Sequence, residues 1–201
     1  LNAGFISYIL IVITLILISF GWKTHTLRQI SLQTSLFFII LWVILSNVQW
    51  SARDASGGTF VFIAIAFLLF ALLWKKTIQF HFLSTFTFSL LLCTLCVMIQ
   101  FVETIYPMSV IFHSDIDPLV AVVLLILLYS NNITIQIIMV SITLVLVDIY
   151  WALLYMEWSS PGLGSRYFQD KWWVTMYFVR ISSASSQMVV AKIRSFCYDK
   201  I

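Results

Sequence analysis

The chain has 201 residues, of which 62% are hydrophobic and only 9% charged, with a formal net charge of +3. A soluble protein of that size cannot hide so much apolar surface in one core, whereas the interior of a bilayer is itself an apolar solvent. The composition points to one integral membrane domain over residues 1–201, and leaves no room for a soluble catalytic domain or a stacked basic face for nucleic acid.

In chain order, the first apolar block covers residues 4–22. No basic region precedes it and no small-residue cleavage site follows, so it reads as a retained span. Lys23, His25 and Arg28 come next, then a second block over 30–49. A loop with Arg53, Asp54, Gly57 and Gly58 leads to a third block over 59–74, which stops at Lys75-Lys76. The fourth covers 80–106, with Glu103 near its end. Pro107, His113, Asp115, Asp117 and Pro118 form a polar connection, in which Asp117 suits an N-cap ahead of a first-turn proline.

Residues 119–156 are nearly continuously apolar. As one helix they would extend about 57 Å, far beyond a hydrocarbon core of about 30 Å. The run must turn, and Ser130-Asn131-Asn132 is its turn signal. That divides it into a fifth span over 119–129 and a sixth over 133–156. After the longest polar segment, 157–171, the last span covers 172–191 and a basic tail follows. The expected fold is an all-α, polytopic transmembrane helix bundle of seven spans. Six spans with 118–130 as a re-entrant segment is the alternative.

Lysine and arginine set the orientation. With seven spans and the N-terminus outside, the inner side holds Lys23, Arg28, Lys75, Lys76, Lys192, Arg194 and Lys200. The outer side holds Arg53, Arg166 and Lys171, which places the C-terminus in the cytoplasm. Trp22, Trp50, Trp74, Trp158, Trp172 and Trp173 fall at span ends, where amphipathic rings favour the headgroup level. Trp42 and Trp151 lie deeper.

Ionisable residues inside spans are costly and mark candidate sites. Asp148 lies eight residues before Met156, and Arg180 eight residues after Trp172. Eight residues put each about 12 Å below the outer boundary. The expectation is an Asp148–Arg180 ion pair, either a structural clip or a substrate site, since either charge buried alone would be destabilising. Asn47, Gln49, Gln100 and Glu103 also lean outward and are candidate lining for an outer cavity. Ser182 and Ser186, four apart, suit close helix packing.

Cys93 and Cys96 match a C-x-x-C string, but leucine, phenylalanine and methionine surround them, and buried free cysteine behaves as a small hydrophobe. His25, His81 and His113 are too dispersed to share a metal. Gly162-Leu163-Gly164-Ser165 reads as a turn, because a nucleophile elbow needs a strand, a helix and a base in reach. No metal, cofactor or catalytic residue is expected.

The segment Gly164-Ser165-Arg166-Tyr167-Phe168-Gln169-Asp170-Lys171-Trp172-Trp173, followed by a span with Arg180, resembles YphA-like membrane proteins of Bacillus-type bacteria. The resemblance covers about thirty residues. It implies a bacterial inner-membrane protein without an assigned activity, and supplies no site residues. The expected function is a non-enzymatic interaction or assembly protein, with the bilayer and a membrane-protein partner as its contacts. A small-solute or ion transporter built around Asp148 and Arg180 is the alternative.

Overall fold

The computed structural model describes residues 2–20, 31–52, 55–73, 82–107, 110, 116–154 and 163–198. Among these residues the chain is helical, with one small hairpin. The helices are α1 (Phe5–Ser19), α2 (Leu32–Asn47), α3 (Val61–Leu73), α4 (Phe82–Ile105), α5 (Asp117–Tyr129), α6 (Ile133–Leu154) and α7 (Arg166–Tyr198). Strands β1 (Gln49–Ala52) and β2 (Ala55–Thr59) lie between α2 and α3 and pair antiparallel, Gln49 opposite Thr59 and Ala52 opposite Ala55. The sequence reads this stretch as a plain loop; its short backbone pairing gives no hydropathy signal.

Local chemistry sets several boundaries. Ser31 caps α2 by accepting the Thr34 N–H at 3.1 Å. The expected turn at 130–132 separates α5 from α6. There Ser130 Oγ accepts the Asn132 N–H at 3.1 Å, and Asn132 Oδ1 accepts the Thr134 N–H at 3.0 Å. Asp117 is the first helical residue of α5 rather than its cap, and Ile116 occupies the cap position. The last helix begins at Arg166, not Trp172, because Ser165 Oγ accepts the Phe168 N–H at 3.2 Å just after a left-handed Gly164.

That earlier start corrects the reading of two tryptophans. Trp172 and Trp173 are buried, with Trp42 and Phe38 of α2 against them. The Trp42 and Trp172 ring centroids are 4.8 Å apart, and those of Trp42 and Trp173 are 5.6 Å apart. They form the aromatic centre of the bundle and not a belt at its rim.

Cross-helix hydrogen bonds fix directions. Thr143 Oγ1 meets the Ser89 carbonyl and Trp151 Nε1 meets Gln100 Oε1, so α4 and α6 run parallel. Trp172 Nε1 donates to Ser141 Oγ, and Gln136 Nε2 to Ser183 Oγ, so α6 and α7 are antiparallel. Tyr177 bonds Thr14 and the Leu10 carbonyl, while Asp170 bonds Gly4 and Ser7, so α1 runs parallel to α7. Ser183 of α7 is buried, whereas Ser182 is only half-buried and Ser186 is exposed, which corrects the expected packing pair.

The interior is mainly apolar but includes buried polar side chains, and many large apolar side chains lie on the outside. Ser89, Gln136, Ser141 and Thr143 are fully buried, while Leu128, Leu83 and Met98 are 83%, 74% and 65% exposed. In water each such large apolar side chain forgoes about 1.5–3 kcal/mol of burial. Two helices, α4 and α6, are long and apolar enough to cross a membrane.

Candidate functional site

One set of polar residues gathers at an end of the bundle, around a short turn. Gly164 has φ of 69°, a conformation that favours glycine. Both of its backbone groups are used. Its N–H donates to Asp148 Oδ2 of α6 at 2.9 Å, and its carbonyl accepts from Thr59 Oγ1 at 2.5 Å and from Gln169 Nε2 at 3.3 Å. The Thr59 N–H adds a bond to the Leu163 carbonyl at 2.9 Å. The hairpin, α6 and α7 are thereby tied at a single buried glycine. A methyl group on Gly164 would lie 3.0 Å from both Thr59 oxygens, so Thr59 would have to give by a few tenths of an ångström on top of the strain of a positive φ.

Beside this node, Asp170 reaches across to α1. Its Oδ2 accepts the Gly4 N–H and its Oδ1 the Ser7 N–H, both at 2.7 Å. The first N–H groups of a helix have no partner within it, and Gly4, at the cap position, has no side chain to supply one. A carboxylate from the parallel helix fills that role and also faces the positive end of the α1 dipole.

The expected Asp148–Arg180 pair does not form. Asp148 bonds the Gly164 N–H, and the basic side chain within its electrostatic reach is Lys171. Arg180 lies one turn before Ser183, which meets Gln136. Gln136 precedes Asp148 by twelve residues, about 18 Å along the helix. The matched depth failed because α7 starts six residues early, which carries Arg180 toward the opposite end of the bundle.

The other candidates do share the Asp148 end. Gln100 accepts the Trp151 indole N–H, and Glu103 is buried two turns from Cys96, where Lys171 is also within electrostatic reach. Asn47 accepts from the Tyr8 hydroxyl at 3.3 Å and donates to the Val43 carbonyl at 2.8 Å. Gln49 stands in β1 opposite Thr59, and its side chain lies outside the described residues. Lys171 itself sits over the Tyr167 ring at 4.3 Å. Cys96 is buried and Cys93 half-buried, both as free thiols. Among the described residues, no group of three or more His, Cys, Asp or Glu side chains is placed to hold a metal ion.

No protein-family model, curated protein or solved structure matches this chain. The site is therefore read from its own geometry. Sequence reasoning missed Thr59, Gly164, Gln169 and Asp170. The Gly164-Ser165 pair was the available signal, a turn glycine followed by a helix cap.

The separation of Asp148 from Arg180 has a direct test. Asp148→Asn and Arg180→Gln are expected to act independently, with effects on unfolding free energy that add within about 0.5 kcal/mol. A double-mutant cycle in detergent would detect a coupling of about 1 kcal/mol or more, which would put the two side chains in contact after all.

Proposed function

We propose that this chain is a multi-pass inner-membrane protein of seven spans, N-terminus outside and C-terminus cytoplasmic, that acts by interaction or assembly rather than by catalysis. The observation that carries the reading is the apolar outer surface: many large aliphatic and aromatic side chains are exposed, while hydroxyl and amide side chains such as Ser89, Gln136, Ser141 and Thr143 are buried among the core residues. Buried polar groups between helices serve as glue where no water competes. Several of the polar side chains here are engaged with one another or with backbone.

Seven spans are favoured over six plus a re-entrant segment by the direction of the chain around α5. Helices α4 and α6 are parallel, and Tyr129 at the end of α5 stacks on Phe88 near the start of α4, centroids 4.4 Å apart. A chain that turned back on the side it entered would not return to that level. Helix α5, at 13 residues, rises only about 20 Å, a mismatch that bilayers meet by local thinning. The lysine and arginine bias supplies the orientation.

Transport is the second reading, favoured by the grouping of Asp148, Glu103, Gln100 and Lys171 at one end. The experiment that separates them pairs topology with abundance. The protein is expected to resist alkaline extraction from membranes, and a C-terminal alkaline phosphatase fusion is expected to be inactive. Asp148→Asn is expected to lower the amount of folded protein severalfold. A variant of normal abundance that lost uptake of a solute would favour the transporter.

A further inference from the structure

Four tryptophans have described side chains, and they divide into two pairs. Trp172 Nε1 donates to Ser141 Oγ and Trp151 Nε1 to Gln100 Oε1. Trp42 Nε1 and Trp173 Nε1 have no acceptor among the described residues, although Trp42 is 0% and Trp173 only 5% exposed. Both belong to one cluster. Their ring centroids are 5.6 Å apart, with Trp172 4.8 Å and Phe38 5.5 Å from Trp42. A buried indole N–H ordinarily finds an acceptor, because leaving the bond unmade is destabilising. Trp173 stands edge-on to Trp42 and to Trp172, at 78° and 84°. An N–H directed at a ring face is the weaker substitute that edge-on packing offers.

Helix α1 lies across the seam between α2 and α7 that holds these two rings. Asp170 bonds Gly4 and Ser7, and Tyr177 bonds Leu10 and Thr14. Trp173, between Asp170 and Tyr177, therefore stands at about the level of residues 7–11. On the other side Tyr8 bonds Ser46, one turn beyond Trp42. Of the 15 residues of α1 only Ser7 and Ile11 are buried, and they fall at this level. Eleven of the 22 residues of α6 are buried. Helix α1 is thus a lightly packed cover, with Ile9, Val12, Ile13 and Ile16 turned outward.

The chemistry of the cluster selects its ligand. It offers two donors in a shell of rings and aliphatic chains, so the ligand must accept without bringing a charge. An anion there would lose its hydration, which is costly. A water molecule would bring two donor protons of its own, and Ser141 Oγ already accepts from Trp172. A carbonyl oxygen accepts only, and an apolar body attached to it meets the surrounding side chains as like surface. Indole faces also stack well on a flat conjugated ring. An apolar carbonyl compound partitions into the bilayer and so reaches the seam from the side that α1 covers.

We infer that the Trp42–Trp173 cluster binds an apolar molecule through a carbonyl oxygen, admitted from the bilayer by outward movement of α1. The carbonyl belongs to a conjugated ring ketone of the quinone type or to the ester of an acyl lipid, which present the same acceptor to an indole N–H. The inference rests on the membrane location proposed above and is independent of the partner which that reading invokes.

The test uses the full chain in nanodiscs of ether-linked phospholipid, which contributes no ester carbonyl. The indole protons of Trp42 and Trp173 are followed by NMR during titration with decylubiquinone, with methyl laurate and with dodecane. The expected result is a saturable downfield shift of both protons with a carbonyl probe and none with dodecane. Whichever carbonyl probe binds identifies the source. Trp42→Phe and Trp173→Phe keep a ring, delete the donor and are each expected to weaken binding about fivefold or more. Benzothienylalanine at either position, with sulfur in place of the N–H, serves where a phenylalanine variant loses the Trp172 signal and with it the fold. Asp170→Asn loosens the start of α1 and is expected to speed binding and release severalfold. No saturable shift with either carbonyl probe overturns the inference, as does an equal shift with dodecane or an affinity indifferent to loss of both donors. Unchanged rates in Asp170→Asn overturn the entry beneath α1. Alkaline extraction is scored on the same preparation of membranes: a chain that it removes fails the functional reading, whereas an embedded chain without the shift fails only this inference.

Discussion

Replacing Gly164 by valine is expected to destabilise the protein by about 3–5 kcal/mol, by the addition of separate effects. A φ of 69° is unfavourable by roughly 1–2 kcal/mol for any residue with a Cβ, and more for a branched one. The new Cβ would meet the Thr59 carbonyl and Oγ1 at 3.0 Å, and the carbonyl is backbone that cannot swing aside. Relief of that contact must pull β2 from the turn. It then loses the bonds from Thr59 to Leu163 and Gly164 and strains the bond to Asp148. Neutral hydrogen bonds contribute about 0.5–1.5 kcal/mol each and those to a charge about 1.5–3. Gly4→Ala makes the comparison. Gly4 also has positive φ, 91°, but its Cβ would meet Arg166 Cβ and Cδ at 3.2 Å and no backbone carbonyl, so about 1–2 kcal/mol is expected. Unfolding in mixed micelles with rising SDS measures both. A valine variant within about 1 kcal/mol of the parent would show that the node at Gly164 does not hold the bundle end together.

The helical blocks were legible because hydrophobic length and charge punctuation are properties of composition, not of packing. The turn at Ser130-Asn131-Asn132 was legible for the same reason: an apolar run of 38 residues is too long to be one crossing. What failed was depth. Judged by hydropathy, Arg166, Gln169, Asp170 and Lys171 read as loop, so the last helix was started at the first tryptophan. In three dimensions Ser165 caps a helix already there, and the polar residues of its first turns are consumed by neighbours: Gln169 by Thr59 and Gly164, and Asp170 by α1. A six-residue shift moved Arg180 by about 9 Å along its axis and removed the expected pair.

The candidate site was legible by residue type but not by partner. Asp148, Glu103, Gln100 and Asn47 were singled out as polar exceptions and do share one end of the bundle. The bonds of Asp148, Gln100 and Asn47 run to Gly164, Trp151, Tyr8 and local backbone, which depend on helix rotation and register. Residue spacing along one helix carries no information on the rotation of the next. A carboxylate that ends on a backbone N–H, as Asp148 does, looks in sequence the same as one that ends on an arginine.

Asp170→Ala is expected to free the start of α1 at a loss of about 3–4 kcal/mol, since two charge-assisted bonds and a dipole interaction go together. The carboxylate meets the Gly4 and Ser7 N–H groups at 2.7 Å each, and Gly4 offers no side chain in its place. Asp170→Asn is expected to lose somewhat less, because the amide keeps one acceptor oxygen and presents a donor to the second N–H. The damage should be local. Tyr177 still grips Leu10 and Thr14 further along α1, and α4 packs with α6 independently of either. Amide exchange should therefore speed up in residues 4–8 while α4 and α6 stay protected. Unchanged exchange at Ser7 would mean that water at the bundle end replaces the carboxylate, and the bridge would then count for less than about 1 kcal/mol. Exchange speeding equally in all helices would instead make Asp170 part of the global fold, with α1 unable to separate from it.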